Sequence, residues 1–583
     1  MVSNDKIGPG GPVHSELRGA LGVFRGAFVG QALFSAIINM LMLTGSLFML
    51  EVYDRVLPSR SVPTLVGLAA LVAMLYAFQA GLEIVRARVF LRIGDGVEKA
   101  LAPRAFELAV HLPLRGGADA TAPVRDLDVL RSFLAGQGPA ALFDLPWLPF
   151  YLAICFAFHP LIGLTALFGM VVLGLFTVAT ERMSRRAVVA ATETGNQRMR
   201  LLEACRRGSE AIVAMGMVGR MRARWSEHDR AHGEAQARAG DTTAAFTALG
   251  KVFRMTLQSA MLAVGAWLVI HQEASAGIII ASSILSGRAL APLDATIAHW
   301  KGFIAARQAW GRLERLFAAL PPRGEVFALP APSRTLSVEA VTTTPPGAKR
   351  PTLADVRFTL SAGDCVCVIG HSAAGKSTLV RTLVGLWRPQ RGAVKLDGAS
   401  LDQWDGEALG RHVGHLPQEV ELIDGTIAEN IARFDPAADP AAVVAAAQTA
   451  GVHEMIVALP EGYDTRVGDR GSVLAAGQRQ RVALARALYG APFLVVLDEP
   501  NSNLDTDGEA ALKRAIEATR DRGAVVVVVS HRPSVLDAAT HVLTLVGGQQ
   551  QSFGPKQEAP ARPVRRDPPP FGTFKILPQQ QGA

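Results

Sequence analysis

Gly370-His371-Ser372-Ala373-Ala374-Gly375-Lys376-Ser377-Thr378 follows directly on the apolar run Cys365-Val366-Cys367-Val368-Ile369, and this join decides the fold of the second half of the chain. A buried strand that ends in a loop of small residues and passes into a helix turns successive backbone N–H groups toward the oxygens of a phosphate. Gly370 opens the loop, and Ser377 to Val384 continues with helix-compatible residues. In that setting Lys376 reaches the β- and γ-phosphates and Ser377 ligates Mg²⁺, so ATP with Mg²⁺ is the expected cofactor pair.

Residues further along complete such a site. Gln418 follows Val413-Gly414-His415-Leu416-Pro417, a strand that ends in a polar residue able to sense Mg²⁺ or water. Asp498 closes the apolar strand Phe493 to Leu497 and is expected to hold Mg²⁺, directly or through water. Glu499 beside it is placed to polarise the attacking water as general base. The run Ala524 to Val529 ends at Ser530-His531, which puts His531 at a strand tip near the γ-phosphate. A histidine there is by itself more often structural; the order of these elements, with Asn503-Leu504-Asp505 between them, favours function.

Working outward, the first half reads as membrane. The chain has 583 residues, 49% of them hydrophobic and 19% charged, too apolar for an ordinary soluble protein. Six segments of about 20 residues can span a bilayer: Phe28–Leu50, Val62–Leu82, 139–158, 160–180, 249–270 and 276–293. They pair into hairpins around the short polar turn Glu51 to Ser61, around His159-Pro160 and around Gln272-Glu273. Met1 to Gly26 lacks the apolar core of a cleavable signal peptide, and none is expected.

Orientation follows from arginine. The segment after the second span carries Arg86, Arg88, Arg92, Lys99, Arg104, Arg115, Arg125 and Arg131, and that after the fourth carries Arg182, Arg185, Arg186, Arg198, Arg200, Arg206 and Arg207. The hairpin turns hold very few, so both long loops, both termini and the nucleotide site are expected in the cytoplasm. The loops read as helical, with short segments near Ala122 to Leu134 and Gly208 to Gly219 able to touch the second domain. The net charge of +8 is spread along these segments rather than gathered in one block, so no nucleic-acid partner is expected. Cys155, Cys205, Cys365 and Cys367 show no zinc-like pairing and read as reduced and structural.

Two polar features lie inside the spans. Arg288 faces a wet or paired interior, or sits near the cytoplasmic end of the sixth span and pairs with Asp294 or a headgroup. Pro146 and Pro149, just after Asp144, remove backbone donors and kink the entry to the third span.

The expected domains are a flexible N-terminus (1–20), a six-helix α-helical transmembrane domain (21–318), a linker rich in Pro and Arg (319–335), an α/β P-loop nucleotide-binding domain (336–548) and a disordered tail (549–583).

In order and spacing, the phosphate loop Gly370 to Thr378, Gln418, Asp498-Glu499, Ser502-Asn503-Leu504-Asp505 and His531 resemble the ATP-binding cassette family, and the resemblance covers almost the whole chain. Leu474-Ala475-Ala476-Gly477-Gln478, followed by Arg479-Gln480-Arg481, stands where that family has its signature. Six spans before one cassette are similar to an exporter half-molecule. The resemblance implies a homodimer in which each ATP lies between one copy's phosphate loop and the other's signature, with Ala475, Gly477, Gln478 and Asp505 among the nucleotide-binding residues.

Three membrane strings are more specific. Phe48-Met49-Leu50-Glu51-Val52-Tyr53-Asp54-Arg55-Val56-Leu57-Pro58, Asp144-Leu145-Pro146-Trp147-Leu148-Pro149 and Gly287-Arg288-Ala289-Leu290-Ala291-Pro292 resemble the permease/ATPase of type I secretion systems, in the protease-secreting branch. That resemblance implies a multi-pass protein of the bacterial inner membrane. It also implies a membrane-fusion adaptor in the periplasm, an outer-membrane channel, and an unfolded polypeptide cargo with a C-terminal signal. No N-terminal cysteine peptidase domain, and hence no leader cleavage, is expected.

The sequence departs from the family pattern twice. Ala475 and Ala476 replace a serine and a glycine of the signature, and the first change removes a hydroxyl expected on the γ-phosphate, which implies slowed hydrolysis. Val341 to Gly347 lacks the aromatic that stacks on adenine, which implies weaker or less base-selective binding. Export of a lipid or small molecule, or a hydrolysis-impaired scaffold of a secretion complex, stand as the alternatives.

Overall fold

The computed structural model describes residues 16–116, 121–320 and 329–556. The chain divides into a helical unit and an α/β unit.

Among the described residues of the helical unit six helices are long and apolar enough to cross a membrane: Arg25–Ser59, Val62–His111, Gln137–Phe158, Pro160–Arg207, Val218–Ile270 and Ala276–Ala319. Four of them run 44 to 53 residues. A 50-residue helix is about 75 Å long, against a hydrocarbon core of about 30 Å, so the expected span boundaries mark only the apolar part of continuous helices. The arginine-rich segment after the second span continues its helix because it keeps an apolar stripe. Along the second span Phe90, Ile93, Val97, Leu101, Ala105 and Leu108 recur every three or four residues, all buried against Leu127, Leu130, Leu313 and Phe317.

The first span is broken rather than simple. Arg25–Leu41 and Thr44–Glu51 are joined at Met42-Leu43, and the expected polar turn begins with a π-helical turn, Val52–Val56, before Leu57–Ser59. The third span is interrupted by a 3₁₀ turn at Leu145–Trp147, where the two prolines cannot donate. Asp144, just before it, accepts from Asn39 Nδ2 at 2.8 Å, from Arg86 Nη1 at 3.2 Å and from Ser35 Oγ. Tyr151 closes the network by donating to the Asn39 carbonyl at 2.8 Å. This network pairs a carboxylate that would be costly alone in a bilayer.

Two expectations at the ends need correcting. The N-terminal segment is not flexible throughout: Glu16–Val23 is a helix whose Leu17 is buried and whose Glu16 lies 3.4 Å from Arg104. Nor is 549–583 a tail from its start, because Gln549–Pro555 is a strand. Its glutamines hid it from an apolar-pattern reading, but Phe553 stacks beside Phe358 and His541. Residues 1–15 and 557–583 lie outside the described residues. The pairing of Arg288 with Asp294 is not formed either, since Asp294 takes Arg254 at 2.6 Å. Six residues along a helix turn the side chain about 240°, which sends Arg288 to another face, where it is exposed.

Among its described residues the α/β unit holds ten strands, β1 Thr335–Thr343, β2 Leu353–Ser361, β3 Cys365–Ile369, β4 Arg391–Leu396, β5 Ala399–Ser400, β6 Val413–Leu416, β7 Leu494–Asp498, β8 Val525–Val529, β9 His541–Val546 and β10 Gln549–Pro555. Their order is β5-β4-β1-β2-β10-β9-β3-β8-β7-β6. The half formed by β9, β3, β8, β7 and β6 is parallel, and β3, β7 and β8 are buried along nearly their whole length, as strands covered on both faces must be. Ligand sites in such sheets gather at the carboxyl ends of the strands. The cysteines are free, with Cys155, Cys365 and Cys367 buried.

Candidate active site

Four of those strand ends carry the residues singled out in the sequence. Gly370 follows β3, Gln418 comes two residues after β6, Asp498 is the last residue of β7 with Glu499 next, and Ser530-His531 follows β8. The loop after β3 is shaped by backbone that needs small residues. Gly375 has φ +94°, and a Cβ there would lie 2.9 Å from the Thr352 carbonyl; one on Gly370 would meet the Leu545 carbonyl at 2.4 Å. Ala373 is also left-handed, at φ +64°. Ser372 is exposed, Ala374 N–H bonds the His371 carbonyl at 3.1 Å, and Thr378 is buried in the helix Lys376–Leu383.

Lys376 is buried, and its ammonium donates to the carbonyls of Gly370 at 2.7 Å and His371 at 3.1 Å. These are exchangeable partners, so the ammonium can turn to a phosphate without leaving a carboxylate unpaired.

Asp498 is buried and bonded to the Ser377 hydroxyl, and its Oδ1 has no hydrogen-bond partner among the described residues. Burial pushes its carboxyl above the usual range, against the Ser377 hydrogen bond; Glu499 adds to the rise, and Arg381 and Lys376 oppose it. A buried, underbonded carboxylate beside a serine hydroxyl is a donor set that a hard divalent cation with waters would satisfy.

Glu499 has a left-handed backbone, φ +49°, fixed by its N–H on the Val529 carbonyl at 3.0 Å. Gln418 Nε2 donates to Glu499 Oε2 at 3.1 Å, so the structure gives the glutamine a partner that the sequence reading did not. One carboxylate oxygen is thereby held by the amide. His531 is exposed, and Ser530 Oγ bonds the buried Asn501 side chain at 3.0 Å, linking the ends of β7 and β8.

The signature residues lie apart. Ala475 is the N-cap of the helix Ala476–Leu488, and with no side-chain oxygen it offers no cap of its own; Gln478 Oε1 instead accepts the Ala475 N–H at 2.9 Å. Gly477 packs against the Asn503 carbonyl, 2.8 Å from where a Cβ would be. Asp505, expected at the nucleotide, caps the helix Thr506–Asp521 through Gly508 N–H at 2.9 Å and lies 3.6 Å from Arg481. Among the described residues the hydrogen bonds of Gln478 and Asp505 go to their own helix starts and not to the phosphate loop of the same chain.

Sequence reasoning passed over Gln480 and Arg433. Gln480 is buried, donates to the Pro500 carbonyl and accepts Asn503 N–H at 3.2 Å, so it ties the signature helix to the segment after Glu499. Its signal was a glutamine in register with Leu484 and Ala487 on a buried stripe. Arg433 bonds the carbonyls of Arg486, Gly410, Val413 and Ala487.

The loop from Thr344 to Pro351, closed by Thr352 N–H on the Thr343 carbonyl at 3.0 Å, adjoins Gly375 and carries no aromatic. Base stacking on an aromatic is worth ~1–3 kcal/mol, so the KM for GTP is expected within about tenfold of that for ATP. A hundredfold preference for ATP in steady-state turnover would contradict this.

Comparison with known proteins follows the same lines. The ABC transporter family model matches residues 353–502, and the ABC transporter transmembrane region matches 29–292. The type I secretion system ATP-binding protein PrsD of Rhizobium meliloti (strain 1021) is 52% identical over 543 residues, 93% of each chain. The cyclolysin secretion/processing ATP-binding protein CyaB of Bordetella pertussis is 29% identical over 90% of this chain and 75% of its own. The alpha-hemolysin translocation ATP-binding protein HlyB of Escherichia coli is 26% identical over 93% and 77%. A bacterial Atm1-family ABC exporter with ATP bound superposes with a TM-score of 0.78 over 92% of this chain and 96% of that one, at 22% identity, a likeness of fold.

Proposed function

This chain belongs to the ABC transporter family, and we propose from that premise that it is the inner-membrane subunit of a type I secretion system whose cargo is an unfolded polypeptide with a C-terminal signal, a protease or calcium-repeat protein. It is a multi-pass membrane ATPase coupled to protein export. Two copies close face to face, so that Ala475, Gly477 and Gln478 of one approach the nucleotide held on the phosphate loop of the other. A periplasmic adaptor and an outer-membrane channel complete the path.

The loop N–H groups and Lys376 bind the phosphates, and Ser377 with Asp498 would hold Mg²⁺, which supplies charge neutralisation at the phosphates. Glu499 takes the proton of the attacking water, Gln418 holds its carboxylate in place, and His531 sits where the γ-phosphate would end. The pairing of Gln418 with Glu499 beside Asp498 and Ser377 carries this reading, because a decayed site would not keep it.

Export is tested in the parent bacterium. Deleting the gene should remove a protein with a C-terminal signal from the medium, with recovery by the wild-type chain and none by Lys376→Ala. An unchanged set of exported proteins, with a lipid missing from the outer leaflet, would favour the lipid alternative.

Ala475→Ser has two expected effects. As an N-cap it adds about 1 kcal/mol to the stability of the nucleotide-free cassette. Across the dimer its hydroxyl reaches the γ-phosphate, and a hydrogen bond to a charged group, ~1.5–3 kcal/mol, corresponds to roughly ten- to a hundredfold in turnover. A gain in melting temperature with unchanged turnover would show that the hydroxyl acts only on the helix.

A further inference from the structure

The π-helical turn Val52–Val56 is the one π element among the described residues, and it serves a contact that an α-helical turn would not make. It aims Asp54 at the start of the sixth span, 221 and 223 residues further along the chain. Asp54 Oδ2 accepts the Ser275 hydroxyl at 2.5 Å and Oδ1 accepts the Gly277 N–H at 2.8 Å. Ser275 is the N-cap of that span, so the carboxylate sits on the positive end of the helix. Gly277 is buried, and a Cβ there would lie 2.7 Å from the Asp54 carboxyl, so glycine is what lets the two approach. Of the five side chains in the turn only Val56 is buried, and Tyr53, Asp54 and Arg55 are exposed. The polar tie between the tip of the first hairpin and the start of the sixth span is therefore this one carboxylate, beside the packing of Thr44–Glu51 against the same helix.

Two properties make this a latch rather than a fixed cap. Both bonds end on one exposed carboxylate, so they are lost together. A π turn also has a discrete second arrangement: relaxing it to α shifts the register by one residue, about 100° of rotation, which carries Asp54 off the helix start. Such an element is bistable rather than gradually deformable.

We infer that Asp54, Ser275 and Gly277 form a releasable latch between the outer ends of the first and sixth spans, closed without nucleotide and opened when ATP brings the two copies together to let cargo out. The inference rests on the transport reading, but its test needs only ATP. Asp54 is a positioning residue, and nothing in its role touches nucleotide.

The test uses the full-length chain in lipid nanodiscs with Asp54→Cys and Gly277→Cys, and Cys205→Ser to remove the half-exposed native thiol. The closeness of Gly277 to the Asp54 carboxyl places the two new Cβ atoms in the range that a disulfide needs. Disulfide formation, read by mass spectrometry, is expected at least tenfold slower when ATP is trapped by Glu499→Gln than without nucleotide. With Glu499 left intact, the oxidised double-cysteine protein, still binding a fluorescent ATP analogue, is expected to lose at least nine-tenths of its turnover and to regain it on reduction. Equal rates of disulfide formation in the two states, or full turnover when oxidised, would overturn the latch. Should the double variant fold poorly, Asp54→Ala decides. A threefold or greater rise in cargo-free turnover at an unchanged melting temperature supports release. Unchanged turnover, or turnover that falls together with melting temperature, marks a structural cap and ends the proposal.

Discussion

Glu499→Gln is expected to lower ATP turnover by roughly two to four orders of magnitude, the usual contribution of a positioned general base. The substitution keeps the shape of the side chain and removes only its basicity. The left-handed backbone at Glu499, its N–H bond to the Val529 carbonyl and the approach of Gln418 are set by the ends of β7 and β8 and tolerate an amide. ATP affinity should therefore stay within about threefold, since Lys376 and the loop N–H groups are untouched. Turnover and equilibrium binding measured on the same nanodisc sample separate the two. If turnover falls by less than threefold, some other group accepts the proton, and the assignment of Glu499 is wrong. Gln418→Ala should do less, about tenfold, because it frees the carboxylate without neutralising it.

Arg433→Met should be the most damaging substitution for stability away from the nucleotide. The guanidinium is largely enclosed and meets four carbonyls and no carboxylate; burial, with Arg486 nearby, pulls its pKa down. Two of those carbonyls, Arg486 and Ala487, belong to the last turn of the signature helix, and Gly410 lies in the helix Gly406–His412. Arg433 thus places positive charge at two helix C-termini, where the dipoles favour it. Methionine fills the space but leaves buried acceptors unpaired, at ~1–3 kcal/mol each, for a total of about 4 kcal/mol. For a domain of this size that lowers the unfolding midpoint by roughly 10 °C. Arg433→Lys, with one compact ammonium, should recover about half. A drop below 2 °C in calorimetry would mean that water replaces the guanidinium without loss.

Much of the catalytic half was legible because its residues are local to strand ends. β3, β7 and β8 are runs of valine, leucine, isoleucine and cysteine with no polar residue before their ends, and the residues proposed for the chemistry stand at or directly after those ends. The strand β10 was not legible, since its glutamines carry no apolar alternation and only pairing with β9 orders them. Arg433 was hidden for a similar reason: its four partners are backbone carbonyls, which leave no mark in a sequence.

The amino-acid order by itself determined the six apolar helices, the parallel half-sheet and which polar side chains stand at its strand ends, because strand and helix periodicity and loop chemistry act between near neighbours. Tertiary structure alone decided which distant groups meet. It placed Gln418 on Glu499, gave Asp294 to Arg254 instead of Arg288, turned Asp505 into a helix cap, and brought Asp54 to the start of the sixth span. Those pairings depend on helix rotation and strand register, which are set by packing summed over the whole unit rather than by any short stretch of chain.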